Sequence, residues 1–278
     1  MKRALFVHAH PDDETINNGA TMAQMVEDGV AVTLITCTRG EEGEVLVPEL
    51  SHFASHAEDK LGEHRITELA NAMKELGVKD HRFLGEYRDS GMMGAPQNEN
   101  PASFWKCDVE EAAKQLALII DEIKPQVMVT YDEFGGYGHP DHIQTHRVAM
   151  RAAEISNWKI QKIYWNIMPK SVVAQGMEAM KAQGSDFFGA ESVDDLPFVK
   201  DDSFVSAVVH APNQVDKKMA AMKAHATQIS LDGPFFALSN NLGVQVFGDE
   251  YYTLVKGEKS APFNSKGLEL DLFAGVAL

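Results

Sequence analysis

Residues 4–14 read ALFVHAHPDDE, an apolar run followed at once by two histidines, two aspartates and a glutamate. The run from Ala4 to Val7 predicts a buried strand. From about Thr15 to Asp28 the apolar residues have helical spacing, so the polar residues in between lie where a strand ends and a helix begins. In open α/β sheets, ligands bind at that edge, outside the carboxyl ends of the strands. Imidazole and carboxylate side chains there are typical ligands of a catalytic zinc ion.

The chain as far as residue 131 alternates between strand and helix patterns. Further strands are predicted at 30–36, 81–84 and 126–131, and further helices at 65–76 and 108–123. This alternation predicts an α/β fold, a Rossmann-like three-layer sandwich with a mostly parallel sheet. The first strand-to-helix turn lacks G-x-G-x-x-G, and its carboxylates would repel a pyrophosphate. A nucleotide-binding oxidoreductase is therefore disfavoured.

The alternation weakens after about Trp158, which suggests a second region. We predict a Rossmann-like metal-binding catalytic domain over residues 1–168 and a smaller C-terminal α+β region over residues 169–278 that closes the active site. The tail after Lys256 mixes Gly, Pro, Ser and charged residues, a composition that fits either a disordered or a docked segment. Predicted elements of the second part are strands at 160–167, 204–209 and 251–255 and helices at 170–183 and 215–229.

Composition narrows the choice of partners and compartment. The 278 residues carry a formal net charge of −16, which argues against nucleic acid or an anionic membrane as the main partner. Cys37 and Cys107 are isolated in sequence, which argues against a cysteine zinc site or a disulfide framework. The apolar segment at the N-terminus is too short for a signal peptide, and apolar runs fall short of the roughly 20 residues of a membrane span. We expect a cytoplasmic protein.

A second polar motif occupies residues 129–142, which read VTYDEFGGYGHPDH and also follow a predicted strand. Pro140 suits the first turn of a helix, where His139 and His142, three residues apart, could face the same side. Each motif alone has an ordinary explanation as a capped turn or a chance spacing. Both together, each at the carboxyl end of a strand, predict a metal site that takes ligands from both loops.

The two motifs also supply groups for hydrolysis. Asp12 and Asp13 are adjacent and point in different directions, so one can bind a metal while the other takes a proton from metal-bound water. His139 or Tyr137 could stabilise an oxyanion or protonate the leaving group, and Asp141 could orient His139. Because a metal acidifies water and polarises carbonyls, the pattern predicts water attack on a carbonyl or phosphoryl centre.

HAHPDDE at 8–14 and GYGHPDH at 136–142 together resemble the zinc-dependent sugar N-deacetylases. That family includes the N-acetylglucosaminyl-phosphatidylinositol deacetylase and its bacterial relatives. The resemblance extends from about Lys2 to Gly257. Thr15 stands where a serine is expected, which leaves the metal motif intact. Segments that resemble the mycothiol-pathway branch of the family are TINNG from Thr15, TCTRGEEGEV from Thr36, YRDSG from Tyr87, KAHATQ from Lys223 and FALSNN from Phe236.

This resemblance implies roles for individual residues. It implies that His10, Asp13 and His142 hold one zinc ion per subunit, with ferrous iron as the alternative in the cell. It implies that Asp12 is the general base and that His139 stabilises the transition state or acts as an acid. The other implied roles are polarisation of the acetyl carbonyl by Tyr137, partnership of Asp141 with His139, and substrate contact by Arg65, Asp89 and Glu44, each of which also fits an ordinary surface charge or ion pair.

The implied activity is removal of the N-acetyl group from N-acetylglucosaminyl-inositol, a small soluble substrate, in mycothiol biosynthesis. One alternative is the related mycothiol S-conjugate amidase, whose corresponding segment resembles ESSKG, whereas residues 14–19 here read ETINNG. Another is a deacetylase of a different N-acetylated sugar. A non-catalytic sugar-binding protein would lack a metal ligand or the base, and all of these residues are present. Whether the chain forms a homo-oligomer is left open.

Overall fold

The computed structural model describes residues 1–182, 190–230 and 248–278. The strands are β1 (Arg3–His8), β2 (Ala31–Thr36), β3 (Asp80–Phe83), β4 (Val127–Thr130), β5 (Lys162–Pro169), β6 (Val199–Lys200), β7 (Ala207–His210) and β8 (Asp249–Lys256). The helices are α1 (Asp13–Glu27), α2 (Leu61–Leu76), α3 (Val109–Ile123), α4 (Pro140–Ile155), α5 (Lys170–Ala182) and α6 (Val215–Ala224), joined in places by short 3₁₀ turns.

The described strands form one eight-stranded sheet in the order β3-β2-β1-β4-β5-β8-β7, with β6 paired to β5. Strands β1 to β6 pair in parallel, and β8 pairs antiparallel with both β5 and β7. The predicted α/β fold with a mostly parallel sheet is confirmed. The chain runs outward from β1 to β3 and then returns to place β4 on the other side of β1. Such a reversal opens a crevice at the carboxyl ends of the two central strands.

Helices cover both faces of the sheet, which explains why β1 is apolar without alternation. Successive side chains of a strand point to opposite faces. Phe6 packs in a core with α1, α2 and α6, whereas Leu5 and Val7 pack in a second core with α3 and α4. Both Leu5 and Phe6 are fully buried. The central strands are therefore held from both sides, and their carboxyl ends form a firm base for the loops that follow.

Helix α6 is shorter than the sequence predicts. It ends at Ala224 instead of continuing to residue 229, and the N–H of His225 bonds back to Met222 O at 3.2 Å. The chain turns there because the next side chains have buried partners elsewhere. His225 contacts Glu14, and Thr227 donates to the Glu68 carboxylate. The prediction of a longer helix was wrong because tertiary contacts outweigh helical periodicity at this point.

The C-terminal residues belong to the body of the fold. Strands β7 and β8 extend the sheet, and the tail after Lys256 docks onto it. Glu269 of the tail is fully buried and accepts from Lys162 Nζ at 2.5 Å and from the Tyr164 hydroxyl at 2.8 Å. Of the two hypotheses for the tail, a disordered or a docked segment, the docked segment is confirmed. Within the described ranges, no helix has the length and apolar character needed to cross a membrane.

Candidate active site

The two polar motifs meet at one edge of the sheet. The first follows β1 and the second follows β4, and these strands are parallel neighbours in which Phe6 lies opposite Val129. Helix α1 begins at Asp13 and helix α4 begins at Pro140, so each motif lies between a strand end and a helix start. Residues more than 120 positions apart in sequence therefore share one site, as their strand-end positions predict.

Three donor atoms at this edge have the spacing of metal ligands. His10 Nδ1, Asp13 Oδ2 and His142 Nε2 each lie 3.3 Å from the other two. Zinc binds nitrogen and oxygen at about 2.0–2.1 Å, so tetrahedral ligand atoms lie roughly 3.3–3.4 Å apart. All three residues are buried. This cluster, called the ligand triad below, fits a divalent metal ion. The His139 ring also lies near it, with donor atoms of His10, His139 and His142 within 4.8 Å of one another.

Neighbouring groups turn the correct ring nitrogen of each histidine toward the ligand triad. His142 Nδ1 lies 3.1 Å from Gly135 O. A carbonyl only accepts hydrogen bonds, so Nδ1 carries the proton and Nε2 presents its lone pair. His10 Nε2 lies 3.2 Å from the Asp141 carboxylate, which likewise leaves Nδ1 as the coordinating atom. Outer contacts of this kind fix ring orientation before a metal binds.

Asp12 lies beside the ligand triad in an unusual backbone conformation. Its φ of 113° is uncommon for a residue other than glycine. Its N–H donates to Glu14 Oε2 at 2.9 Å, and its Oδ2 lies 3.0 Å from Arg65 Nη2. Burial raises the pKa of Asp12 to about 6, although the Arg65 charge acts in the opposite direction. A carboxylate with a pKa near neutrality suits a general base.

Glu14 and His225 form a buried pair behind Asp12. Glu14 Oε1 lies 2.8 Å from His225 Nε2, and both side chains are fully buried. Burial opposes the charge on the imidazole, but Glu14 raises the pKa of His225 above its usual value. In the sequence, His225 stands out only as part of the segment KAHATQ, and Glu14 has no assigned role. The HPDDE motif contains Glu14, but nothing local to it indicates a partner in the last third of the chain.

His139 and Tyr137 supply hydrogen-bond donors. His139 Nδ1 accepts the Asp141 N–H at 3.2 Å at the start of α4, so the neutral ring carries its proton on Nε2. Burial and the neighbouring His10 and His142 lower the pKa of His139 to about 2. Desolvation of its ring raises the pKa of the Tyr137 hydroxyl above its usual value, so the hydroxyl stays protonated. Tyr137 lines the open cleft and is 38% exposed. Two neutral donors therefore lie beside the ligand triad.

Asp141 has a different partner from the one the sequence predicts. Its carboxylate accepts from the Ser90 N–H at 2.9 Å and from the Ser90 hydroxyl, and it faces His10 Nε2. Its main-chain N–H, rather than its carboxylate, contacts His139. The expectation that the Asp141 carboxylate orients His139 is corrected accordingly. The Ser90 backbone and hydroxyl direct that carboxylate toward His10 instead.

The three residues predicted to contact substrate have protein partners. Arg65, only 2% exposed, donates to Gly40 O at 2.8 Å, to Pro11 O and to Asp12. Asp89, 4% exposed, accepts from the Gly91 N–H and lies 3.5 Å from His10 Nε2. Burial opposes its ionisation, yet His10 holds the pKa of Asp89 well below its usual range. Glu44 has an exposed side chain, and its carbonyl accepts from Gln228 at 3.1 Å at the rim of the cleft.

A cleft of about 370 Å³ reaches the ligand triad at Asp13 and His142. Asp12, Asp13, Tyr137 and His142 line its inner end. The rest of the lining includes residues of α1, of β5 and β6, and Gln228 after α6, and these residues are called the outer wall below. Ligand sites are usually such concave, partly apolar clefts with a few convergent polar groups. The arrangement is that of an α/β protein whose site is suited to metal-dependent hydrolysis.

The comparisons with known proteins identify the family. A family model described as GlcNAc-PI de-N-acetylase matches residues 5–153. The chain belongs to this family, and the predictions of the family and of an N-deacetylase are confirmed. The motif FALSNN, which supported the same resemblance, lies outside the described residues.

Curated relatives match over nearly the whole chain. A protein of Geodermatophilus obscurus named 1D-myo-inositol 2-acetamido-2-deoxy-alpha-D-glucopyranoside deacetylase is 55% identical over 99% of this chain and 98% of its own length. A protein of the same name from Acidothermus cellulolyticus is 53% identical over 99% of this chain and 96% of its own length. These relatives are therefore similar in sequence to this chain over nearly its whole length.

Solved structures with a similar fold have more distant sequences. N,N'-diacetylchitobiose deacetylase from Pyrococcus horikoshii aligns with a TM-score of 0.56 at 21% identity, covering 92% of this chain and 84% of that chain. GalB, a 4-carboxy-2-hydroxymuconate hydratase from Pseudomonas putida KT2440, aligns with a TM-score of 0.62 at 18% identity, covering 95% and 100%. Because one of them is a hydratase, the likeness shows the fold alone, and the reaction must be argued from the site.

Proposed function

We propose that the protein removes the N-acetyl group from 1D-myo-inositol 2-acetamido-2-deoxy-α-D-glucopyranoside, giving the free amine and acetate. The two curated relatives carry this activity in their names. The observation that carries the proposal is the ligand triad with its mutual spacing of 3.3 Å, beside Asp12 at the inner end of an open cleft.

The proposed metal is zinc, with ferrous iron as the alternative in the cell, held by His10, Asp13 and His142. Two neutral imidazoles and one carboxylate are a ligand set that both ions accept. When bound, the ion would lower the pKa of a water molecule and polarise the acetyl carbonyl. The hydrogen bonds of His10 to Asp141 and of His142 to Gly135 hold the two rings in the orientation that this requires.

In the proposed mechanism, Asp12 takes the proton from the attacking water. Arg65 and the Glu14 carboxylate fix its position, and its raised pKa suits the transfer. Negative charge then develops on the carbonyl oxygen. The His139 Nε2–H and the Tyr137 hydroxyl are placed to donate to it, an interaction that strengthens in the transition state. Asp12 returns its proton to the amine as the C–N bond breaks.

The division into two regions is also part of the proposal. Residues 1–168 supply all the groups assigned to metal and base. Residues 169–278 close one side of the cleft, through Phe198, Lys200 and Gln228. We further propose a cytoplasmic location, which the free thiols of Cys37 and Cys107 support because reducing compartments keep cysteines unpaired.

The test is amine release by the zinc-loaded protein from the inositol glycoside, from free N-acetylglucosamine and from a mycothiol S-conjugate, with and without a chelator. We expect fast, chelator-sensitive release from the inositol glycoside. Preference for the S-conjugate would move the protein to the amidase branch with the same chemistry. Release that survives complete metal removal would contradict the metal mechanism.

A further inference from the structure

The outer wall of the cleft has polar groups to which the mechanism assigns no role. Asn17 of α1, Asn166 of β5 and Lys200 of β6 line it, together with the apolar side chains of Met168 and Phe198. Substrate hydroxyls need partners in the cleft. Arg65 and Asp89, the candidates from the sequence, are 2% and 4% exposed and already bonded within the protein. The outer wall offers further open surface for hydroxyl recognition.

Asn166 carries the clearest sign of a missing partner. Its Oδ1 is shielded from solvent, and among the described residues it has no hydrogen-bond partner. Buried polar atoms in native proteins are nearly always paired, so such an atom requires an explanation. A primary amide offers two donors and one acceptor, and rotation about its terminal torsion exchanges them. Asn166 lines the cleft, so an amide turned with Oδ1 toward the cleft would accept a hydrogen bond from a ligand hydroxyl.

Asn17 and Lys200 are both anchored beside the cleft. Asn17 Nδ2 donates to Asp13 O at 2.9 Å, which fixes the side chain next to the ligand triad. Lys200 Nζ lies 2.7 Å from Asp132 Oδ2, and the other oxygen of Asp132 accepts the Gly136 N–H at 2.8 Å. An ammonium group has three N–H donors, so one bond to Asp132 leaves capacity for a ligand. Both groups are thus held in place before substrate binds.

The charge of the wall indicates the kind of ligand. Asp132 balances Lys200, so this part of the cleft carries no net charge and favours a neutral ligand over a phosphorylated one. Met168 and Phe198 add an apolar surface beside the polar groups. A polyhydroxylated ring matches this combination, because its C–H face packs on apolar side chains while its hydroxyls bond to amides and ammonium.

We infer that Asn17, Asn166 and Lys200 form a subsite for the second, polyhydroxylated ring of the substrate. This inference rests on the proposed function and deepens it. The acetylated amino sugar occupies the inner end of the cleft beside the ligand triad, and the cyclitol lies against β5 and β6. The subsite would thereby separate the inositol glycoside from the free amino sugar.

The test compares two substrates in three variants. Asn166→Leu keeps the approximate side-chain size and removes the amide donors and acceptor, and Lys200→Met removes the ammonium group. Lys256→Met, an exposed lysine at the end of β8, is the matched control. We expect Asn166→Leu and Lys200→Met to raise the KM for the inositol glycoside about tenfold, equivalent to about 1.4 kcal/mol. The kcat/KM for free N-acetylglucosamine should stay within about twofold of wild type.

Because Asn166 lies within the sheet, Asn166→Val, which favours a strand, replaces the leucine variant if that variant does not fold. Where free N-acetylglucosamine reacts too slowly to measure, the inhibition constants of the amine products of the two substrates can be compared instead. The variants should then weaken inhibition only by the product that carries inositol. An equal loss on both substrates, or no loss on either, would overturn the subsite while the wild-type preference still supports the proposed function. A wild-type enzyme with no preference for the inositol glycoside would overturn both.

Discussion

At the scale of single residues, the two adjacent aspartates of the first motif have separate environments. Asp13 faces both His10 and His142 at 3.3 Å, and these histidines lower its pKa well below the usual value although burial acts to raise it. Asp12 faces Arg65 and the cleft, and its pKa is raised. Two carboxylates whose environments move their pKa values apart are suited to different tasks, one as a ligand and one as a base.

Substitution of each aspartate should therefore have a different consequence. Asp12→Asn should retain bound zinc and lower kcat by about 10²–10⁴, the usual contribution of general acid–base catalysis. Asp13→Asn should lose zinc together with activity. Metal content and turnover measured on the same samples check this. Loss of metal from Asp12→Asn would show that the two roles are exchanged.

The pKa of Asp12 gives a pH dependence with a definite sign. A base works only when deprotonated, so kcat/KM should fall as the pH drops through about 6, the value to which burial raises this pKa. Arg65 acts to lower the same pKa, so Arg65→Met should move the acid limb to higher pH. The pH profiles of both proteins provide the measurement. An acid limb that moves to lower pH in Arg65→Met would contradict the assignment.

At the scale of elements, the segment after α6 is tied to the catalytic edge by buried polar contacts. The pair of His225 with Glu14 connects it to α1, and Thr227 with Glu68 connects it to α2. The loops that follow β2 and β3 are also linked, since Arg88 lies 2.7 Å from both Glu42 and Asp59. Glu14, which accepts the Asp12 N–H, is thereby held by a residue from the last third of the chain.

Removal of one member of the buried pair should destabilise the whole fold. His225→Ala leaves the Glu14 carboxylate buried without its partner, which should lower the free energy of unfolding by about 3–5 kcal/mol. His225→Gln, which keeps a donor, should cost less. The control is His56→Ala, at an exposed position, with a change within about 0.5 kcal/mol. Urea unfolding measures all three, and equal stability of His225→Ala and wild type would contradict this account of the pair.

At the scale of the whole molecule, the ligand triad joins the two halves of the sheet, because His10 and Asp13 follow β1 whereas His142 follows β4. A metal held by both loops binds only the folded chain. Bound ligand stabilises the folded state by about 4 kcal/mol at a thousandfold excess over its dissociation constant. Zinc should therefore raise the melting temperature of the metal-free protein by several degrees, and a chelator should reverse the change.

The control for this metal effect is Asp13→Asn, whose melting temperature should not respond to zinc. Differential scanning calorimetry of wild type and Asp13→Asn, at the same protein concentration with and without zinc, measures both responses. A similar zinc response in both proteins would place the metal elsewhere on the molecule.

The sequence by itself determined the fold class and the position of the candidate site. Strand and helix periodicity are local properties, and both motifs directly follow β1 and β4, whose carboxyl ends share one edge in a parallel sheet. The residues of the ligand triad follow from these positions together with the family resemblance. Local signals also located the start of α3, which the sequence places at residue 108 and where Asp108 accepts the Glu110 N–H.

Only the tertiary structure decided which partners surround those residues. Asp141 meets Ser90 across 51 positions, Arg65 meets Asp12 across 53, and His225 meets Glu14 across 211. Such contacts depend on how α1, α2, α4 and the segment after α6 pack on the sheet, which local periodicity does not specify. The early end of α6 and the docked tail have the same cause. Buried polar side chains must find partners, and their positions in space depend on the packing of the whole chain.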